Sequence, residues 1–107
     1  MLKSEYEEIT KTDVFPDVYE NIIEPMYMDM PAWVDKKLFC KLIDKKFIRD
    51  LAAVPGVLYH NKINDKLMRC QMITTDGIMF EYLGGKREIY SHSAIKALRK
   101  SGDIEEV

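Results

Sequence analysis

DGIMFEYLGGKREIYSHSAIKALRKSG, residues 76–102, sets out a turn, a strand, a second turn, a short further strand, a capped helix and its stop in unbroken order. Asp76-Gly77 predicts a type I′ hairpin turn, in which both central residues take positive φ. Ile78, Phe80 and Tyr82 then alternate with Met79 and Glu81, the period of a half-buried strand. Gly84-Gly85 makes the next turn, and Lys86 to Tyr90 forms a short last strand. Ser91 or Ser93 caps a helix that turns Ala94, Ile95 and Leu98 inward and Lys96, Arg99 and Lys100 outward, and Gly102 ends it.

Upstream, alternation continues through Val57-Leu58-Tyr59-His60 and through Leu67 to Thr75, with Met68, Cys70 and Met72 on one face and Arg69 and Gln71 on the other. Before Gly56 the period changes to that of a helix. Asp35 is a good N-cap, and a single amphipathic helix is expected from there to about Ala53, where Val54-Pro55-Gly56 stops it. At 100° per residue Leu38, Phe39, Leu42, Ile43, Phe47 and Leu51 share one broad face, and Lys37, Lys41, Lys45 and Arg49 make a basic ridge on another. The fold class is therefore α+β: a small, mostly antiparallel sheet of three to four strands, packed by an N-terminal amphipathic helix and a short C-terminal helix.

Residues 1–34 form an acidic, partly ordered arm ahead of a single domain over 35–107 that ends in a short acidic tail. Within the arm, Pro16 sits at the first position of a short helix that runs to about Glu24 and is ended by Pro25, and Pro25 to Pro31 is extended. The arm also carries large apolar residues, Phe15, Tyr19, Ile22, Ile23, Tyr27 and Trp33 among them.

With 107 residues, 47% hydrophobic and 32% charged, the chain is long enough for one buried core and too apolar for wholesale disorder. No apolar run approaches the roughly 20 residues that span a bilayer, and acids stand near the N-terminus where a signal peptide is apolar, so a soluble intracellular protein is expected. Cys40 and Cys70 lie far apart, with no Cys or His at metal-ligand spacing, and read as reduced, buried thiols.

The net charge of −2 conceals a strong segregation: residues 1–35 carry −7, residues 36–100 carry +8 and residues 101–107 carry −3. Like charges four apart on a helix repel by roughly a few tenths of a kcal/mol per pair, so the ridge is better explained if something anionic covers it. Together with Arg69, Lys86, Arg87, Lys96, Arg99 and Lys100, it makes a surface suited to nucleic-acid phosphates. The alternatives are that the acidic arm folds back over the ridge, or that its aromatic and methionine residues form a docking peptide for another protein.

Catalytic readings find little to rest on. His92 lies between Ser91 and Ser93, but neighbours at a helix start point apart and no acid is placed to orient the ring. The carboxylates of the tail are solvated, and Gly84-Gly85-Lys86 lacks the glycine spacing and the following Ser or Thr of a phosphate loop. No catalytic residue, metal ligand or cofactor is expected.

From Gly56 onward the chain resembles the RAMA module. The likeness rests on Gly56-Val57-Leu58, on Ile73-Thr74-Thr75 before Asp76-Gly77-Ile78, and on Ile89-Tyr90-Ser91-His92-Ser93-Ala94 leading to Leu98 and Gly102. His92 stands where such modules often have proline. The resemblance implies an α+β module that assists recognition of DNA without catalysis of its own. A second resemblance, to SAND domains, rests on Gly56-Val57-Leu58-Tyr59, Arg69-Cys70 and the later Asp-Gly; the basic Lys-Asp-Trp-Lys signature is missing. The expected function is a non-enzymatic nucleic-acid or chromatin-associated binding module that uses its basic helix face on DNA or RNA. The alternative is a protein-interaction adaptor that docks through its arm or a sheet edge.

Overall fold

The computed structural model describes the backbone of all 107 residues and every side chain except those of Lys45 and Arg49. The chain forms two compact units, Met1–Leu51 and Ala52–Val107. The arm and the lysine-bearing helical segment thus share one unit, where the sequence reading divided the chain after residue 34.

In the first unit, helix α1 (Lys3–Thr10) buries Tyr6, whose ring lies 6.2 Å from that of Tyr19. Burial pushes the Tyr6 phenol up to about 12, so it stays protonated at neutral pH. Pro16 opens α2 (Pro16–Val18) at the first helical position, where its missing N–H costs nothing. The helical path does not stop at Pro25. A π turn over Tyr19–Ile23 leads into α3 (Glu24–Met28), with the Glu24 N–H donating to the Tyr19 carbonyl. This wider turn opens room for the proline ring, which clashes with the carbonyl four residues back in a regular α-helix. The extended stretch expected from Pro25 is helical as far as Met28.

The single helix expected over 35–53 is two helices, α4 (Lys36–Leu42) and α5 (Lys45–Asp50). Asp35 caps the first by accepting from the Leu38 N–H at 2.8 Å. Ile43 then turns extended, with ψ 141°, and Asp44 caps the second helix by accepting from the N–H groups of Lys46 and Phe47 at 3.0 and 3.1 Å. A short acid inside a helical pattern serves better as a cap for exposed N–H groups than as a mid-helix residue. The break splits the predicted apolar face: Phe39, Ile43 and Leu51 are buried, whereas Leu42 is 60% and Phe47 49% exposed, and Ile48, outside that face, is buried instead.

The second unit is a five-stranded antiparallel sheet of order β4-β3-β2-β1-β5, built from β1 (Leu58–Asn61), β2 (Lys66–Ile73), β3 (Ile78–Tyr82), β4 (Arg87–Tyr90) and β5 (Ile104–Glu106). The fifth strand is the segment expected to be an acidic tail. Ile104 is buried while Glu105 and Glu106 remain exposed, which lets an acidic segment serve as an edge strand. Helix α6 (His92–Ser101) links β4 to β5 at opposite edges and buries Ile95. Ser91, not Ser93, caps it, accepting from the Ala94 N–H at 3.2 Å, and Gly102 ends it with φ 85°.

The inner face of the sheet carries Tyr59, Met68, Cys70, Ile78 and Phe80, all at most 1% exposed. Phe80 meets Tyr59 and Tyr90 edge to face at 6.0 and 5.8 Å. Both cysteines are buried, and neither forms a disulfide.

Two local features differ from the sequence reading. Neither Asp76 nor Gly77 has positive φ, so their hairpin is not a type I′ turn. Position 77 requires glycine because a Cβ there would stand 2.3 Å from the Tyr90 carbonyl oxygen. In addition, β2 is bulged between Cys70 and Met72: Cys70 pairs with Phe80 and Met72 with Met79, leaving Gln71 as the extra residue. Because side chains alternate, the insertion turns Met72 to the outer face, away from Met68 and Cys70.

Candidate functional site

The residues of the predicted basic ridge come from two helices, α4 and α5, rather than from one. Lys37 and Lys41 are exposed on α4, while the side chains of Lys45 and Arg49, on the separate helix α5, lie outside the described residues. Lys86 pairs with Glu88 and Arg87 with Glu81, each at 3.3 Å. Arg99 serves the fold, donating to the Ala52 carbonyl at 3.2 Å and lying 5.0 Å from the centre of the Tyr59 ring. Lys96 is half-buried on α6 and Lys100 is exposed on its last turn. Arg69 is exposed on β2, opposite Glu81.

Charge is also more even by unit than along the chain: eleven acids against eight bases in residues 1–51, and seven acids against eight bases in 52–107. Part of the arm answers α4 directly. Lys36 forms an ion pair with Glu5, whose carboxyl it holds below the usual range, and the Tyr27 ring packs edge-on to Phe39 at 5.2 Å.

The arm residues considered for partner docking are mostly structural. Tyr19 and Ile23 are buried, Phe15, Ile22 and Tyr27 half-buried, and only Trp33, 75% exposed, is open to solvent.

Polar side chains converge at one corner of the inner sheet face. Tyr90 donates to Glu88 at 2.6 Å, and the Tyr82 hydroxyl lies 2.7 Å from that of Tyr90 and 3.1 Å from the same carboxylate oxygen. Asn64, from the β1–β2 turn, donates to Tyr82 at 3.2 Å. The phenol hydrogen bonds, that from Tyr90 first, hold the Glu88 carboxyl below its usual range, and burial with the Glu88 contact raises the Tyr90 phenol far above its own. Each group is thereby fixed in its resting protonation state, the reverse of what proton transfer near neutral pH requires. The cluster pins β3, β4 and the β1–β2 turn together.

His60 contacts Asp65 at 2.8 Å beside an open depression of about 390 Å³ lined by Leu67, Glu105, Glu106 and Val107. The His92 Nε2–H donates to the Thr74 carbonyl at 2.6 Å and ties the start of α6 to the β2–β3 loop. Among the described residues no group of three or more His, Cys, Asp or Glu is placed to hold a metal ion, and no helix is long and apolar enough to cross a membrane.

The outer face of the sheet has a different character. In register across three strands stand Met72, Met79 and Ile89, with Met72 48% and Ile89 71% exposed. Strands about 4.8 Å apart make this an apolar row about 10 Å long, ending at the edge strand β4. Alongside it runs a charged row, Arg69, Glu81 and Arg87, paired strand to strand. Sequence reasoning identified Arg69 and Arg87 but placed Met72 on the opposite face; Gln71 gives no sign of the bulge that moves it. Compared with known proteins, the chain matches no family model, no curated protein and no solved structure.

Proposed function

We propose that the chain is a non-catalytic protein-interaction module that receives its partner on the outer face of the sheet at its β4 side. The observation that carries this reading is the register of Met72, Met79 and Ile89, which gathers exposed apolar side chains into one row beside two arginines. An exposed cluster of this kind marks a contact surface more often than an isolated apolar residue does. Single-stranded nucleic acid is a poorer fit to this face. The bases need aromatic platforms for stacking, and the outward residues of β2, β3 and β4, namely Leu67, Arg69, Met72, Met79, Glu81, Arg87 and Ile89, include none, while the outward ring of β1, His60, is engaged by Asp65.

The test compares wild-type protein with the Met72→Gln/Ile89→Gln double variant, immobilised at physiological salt and exposed to cell extract. Both positions are well exposed, so the variant should stay within about 0.5 kcal/mol of wild-type stability. Proteins retained by the wild type should be lost from the variant; undiminished retention contradicts the reading.

Nucleic-acid binding is the second reading, favoured by the exposure of Lys37, Lys41 and Lys46 in the first unit. It predicts that the full chain binds labelled duplex or single-stranded oligonucleotides with an affinity that falls steeply with salt, the log-log slope tracking the number of phosphates neutralised. The docking reading predicts no such titration.

A further inference from the structure

We propose that β4 is an acceptor strand: an extended segment of the partner adds to it as a sixth strand, placing a carboxylate beside Arg87 and an apolar side chain beside Ile89. This rests on the docking face proposed above and specifies what occupies it.

Backbone geometry comes first. The Tyr82 N–H donates to the Lys86 carbonyl at 2.8 Å, marking Tyr82 and Lys86 as a hydrogen-bonded pair. Such pairs alternate along an antiparallel ladder, and the register sets Glu88 opposite Phe80 and Tyr90 opposite Ile78. Glu88 and Tyr90 therefore turn their N–H and C=O groups toward β3, and Arg87 and Ile89 turn theirs toward the open edge. The strand order places no neighbour there.

Charge selects the occupant. At this edge the bases are outermost, with the Lys86 and Arg87 side chains 73% and 65% exposed, while their partners Glu88 and Glu81 are 35% and 33% exposed. An incoming strand thus meets positive charge. Edge strands are commonly protected by charge on their own outward side chains, yet β4 pairs its arginine with an Ile89 that is 71% exposed. The other edge strand, β5, presents Glu105 and Glu106 and repels an acidic segment.

Stiffness adds to this. The Tyr82, Glu88 and Tyr90 hydrogen bonds hold β4 from the inner face, so little ordering remains to be done on binding. Main-chain hydrogen bonds would then supply affinity and the side chains at alternate positions selectivity. The apolar row presents only on the order of a few hundred Å², typical of one small patch, whereas a stable dimer buries about 800 Å² on each partner. A single strand fits it better than a second copy.

The probe is a synthetic seven-residue peptide in which threonines alternate with glutamate, valine and glutamate, titrated to millimolar concentration into the full-length protein and followed by amide and methyl NMR. We expect saturable shifts and slowed hydrogen exchange at the Arg87 and Ile89 amides, binding at least tenfold weaker for the lysine-for-glutamate peptide, and loss of binding when the peptide amides facing β4 are methylated. Shifts confined to the Met72 and Met79 methyls, with the β4 amides unaffected, overturn strand addition and leave the docking face standing. Equal binding by the lysine peptide, no binding at all, or protection of the β4 amides by concentration-dependent self-association alone also overturns it. The docking face itself fails separately, if the Met72→Gln/Ile89→Gln variant keeps the partners of the wild type.

Discussion

Replacing Phe80 by alanine is expected to cost about 3–5 kcal/mol, the usual range for removing a fully buried aromatic ring. Phe80 is 0% exposed and lies at the centre of the inner face, packed edge to face on Tyr59 from β1 and Tyr90 from β4. Each such contact adds about 0.5–1.5 kcal/mol beyond area burial, and the ring connects strands on both sides of its own. At roughly 0.05–0.15 kcal/mol per residue, the unit Ala52–Val107 has only several kcal/mol of stability in total. The variant should therefore lose most of its cooperative urea transition at 25 °C. Ile89→Ala, on the opposite face, should stay within about 0.5 kcal/mol of wild type. A Phe80→Ala cost below about 1 kcal/mol would contradict the packing described.

Gly77→Ala carries the second large effect, expected at about 1–3 kcal/mol from overpacking. The contact is with backbone: the new methyl would sit 2.3 Å from the Tyr90 carbonyl oxygen, so the β2–β3 loop or β4 must move. The same substitution separates two reasons for a glycine. At Gly102, where φ is 85° and the nearest atom to a Cβ is 3.7 Å away, the constraint is conformational. Asparagine, which accepts the left-handed region, should be tolerated there better than alanine. At Gly77 asparagine should be no better than alanine, because the obstacle is steric. Rescue of position 77 by asparagine in urea denaturation would restore the positive-φ turn that Asp-Gly suggests.

The contrast at Gly77 shows where the sequence was legible. Elements were readable wherever one residue type had one physical use: a serine of the Ser91/Ser93 pair as a cap, Gly102 as a left-handed stop, Gly84-Gly85 as a turn, and the alternation through Ile78, Phe80 and Tyr82. Ambiguity arose where a residue satisfied two patterns equally. Asp44 fits the polar face of a long helix as well as the cap of a second one, and only the extended Ile43 decides. Pro25 marks a helix end unless a π turn absorbs its ring. Glu105 and Glu106 suit a solvated tail as well as an outward edge, and Ile104 alone records that the segment is a strand.

The candidate site suffered more from this than the fold did. Its basic residues were visible as charges, but whether a base is free depends on partners distant in sequence, as with Arg99 and the Ala52 carbonyl or Lys36 and Glu5. The apolar row could not be assembled from spacing at all, because methionine packs on either face of a sheet and the bulge at Gln71 has no residue signature.

That bulge is the step on which the docking face depends, and methionine oxidation reads it directly. Exposed thioethers are oxidised by hydrogen peroxide to sulfoxides, whereas packed ones are shielded. Met68 is 0% and Met72 48% exposed, four positions apart on the same strand. Peptide mapping by mass spectrometry after brief peroxide treatment of the folded protein should find Met72 converted many times faster than Met68. Equal protection of the two, as required by an unbulged strand that puts Met68, Cys70 and Met72 on one face, would contradict the account.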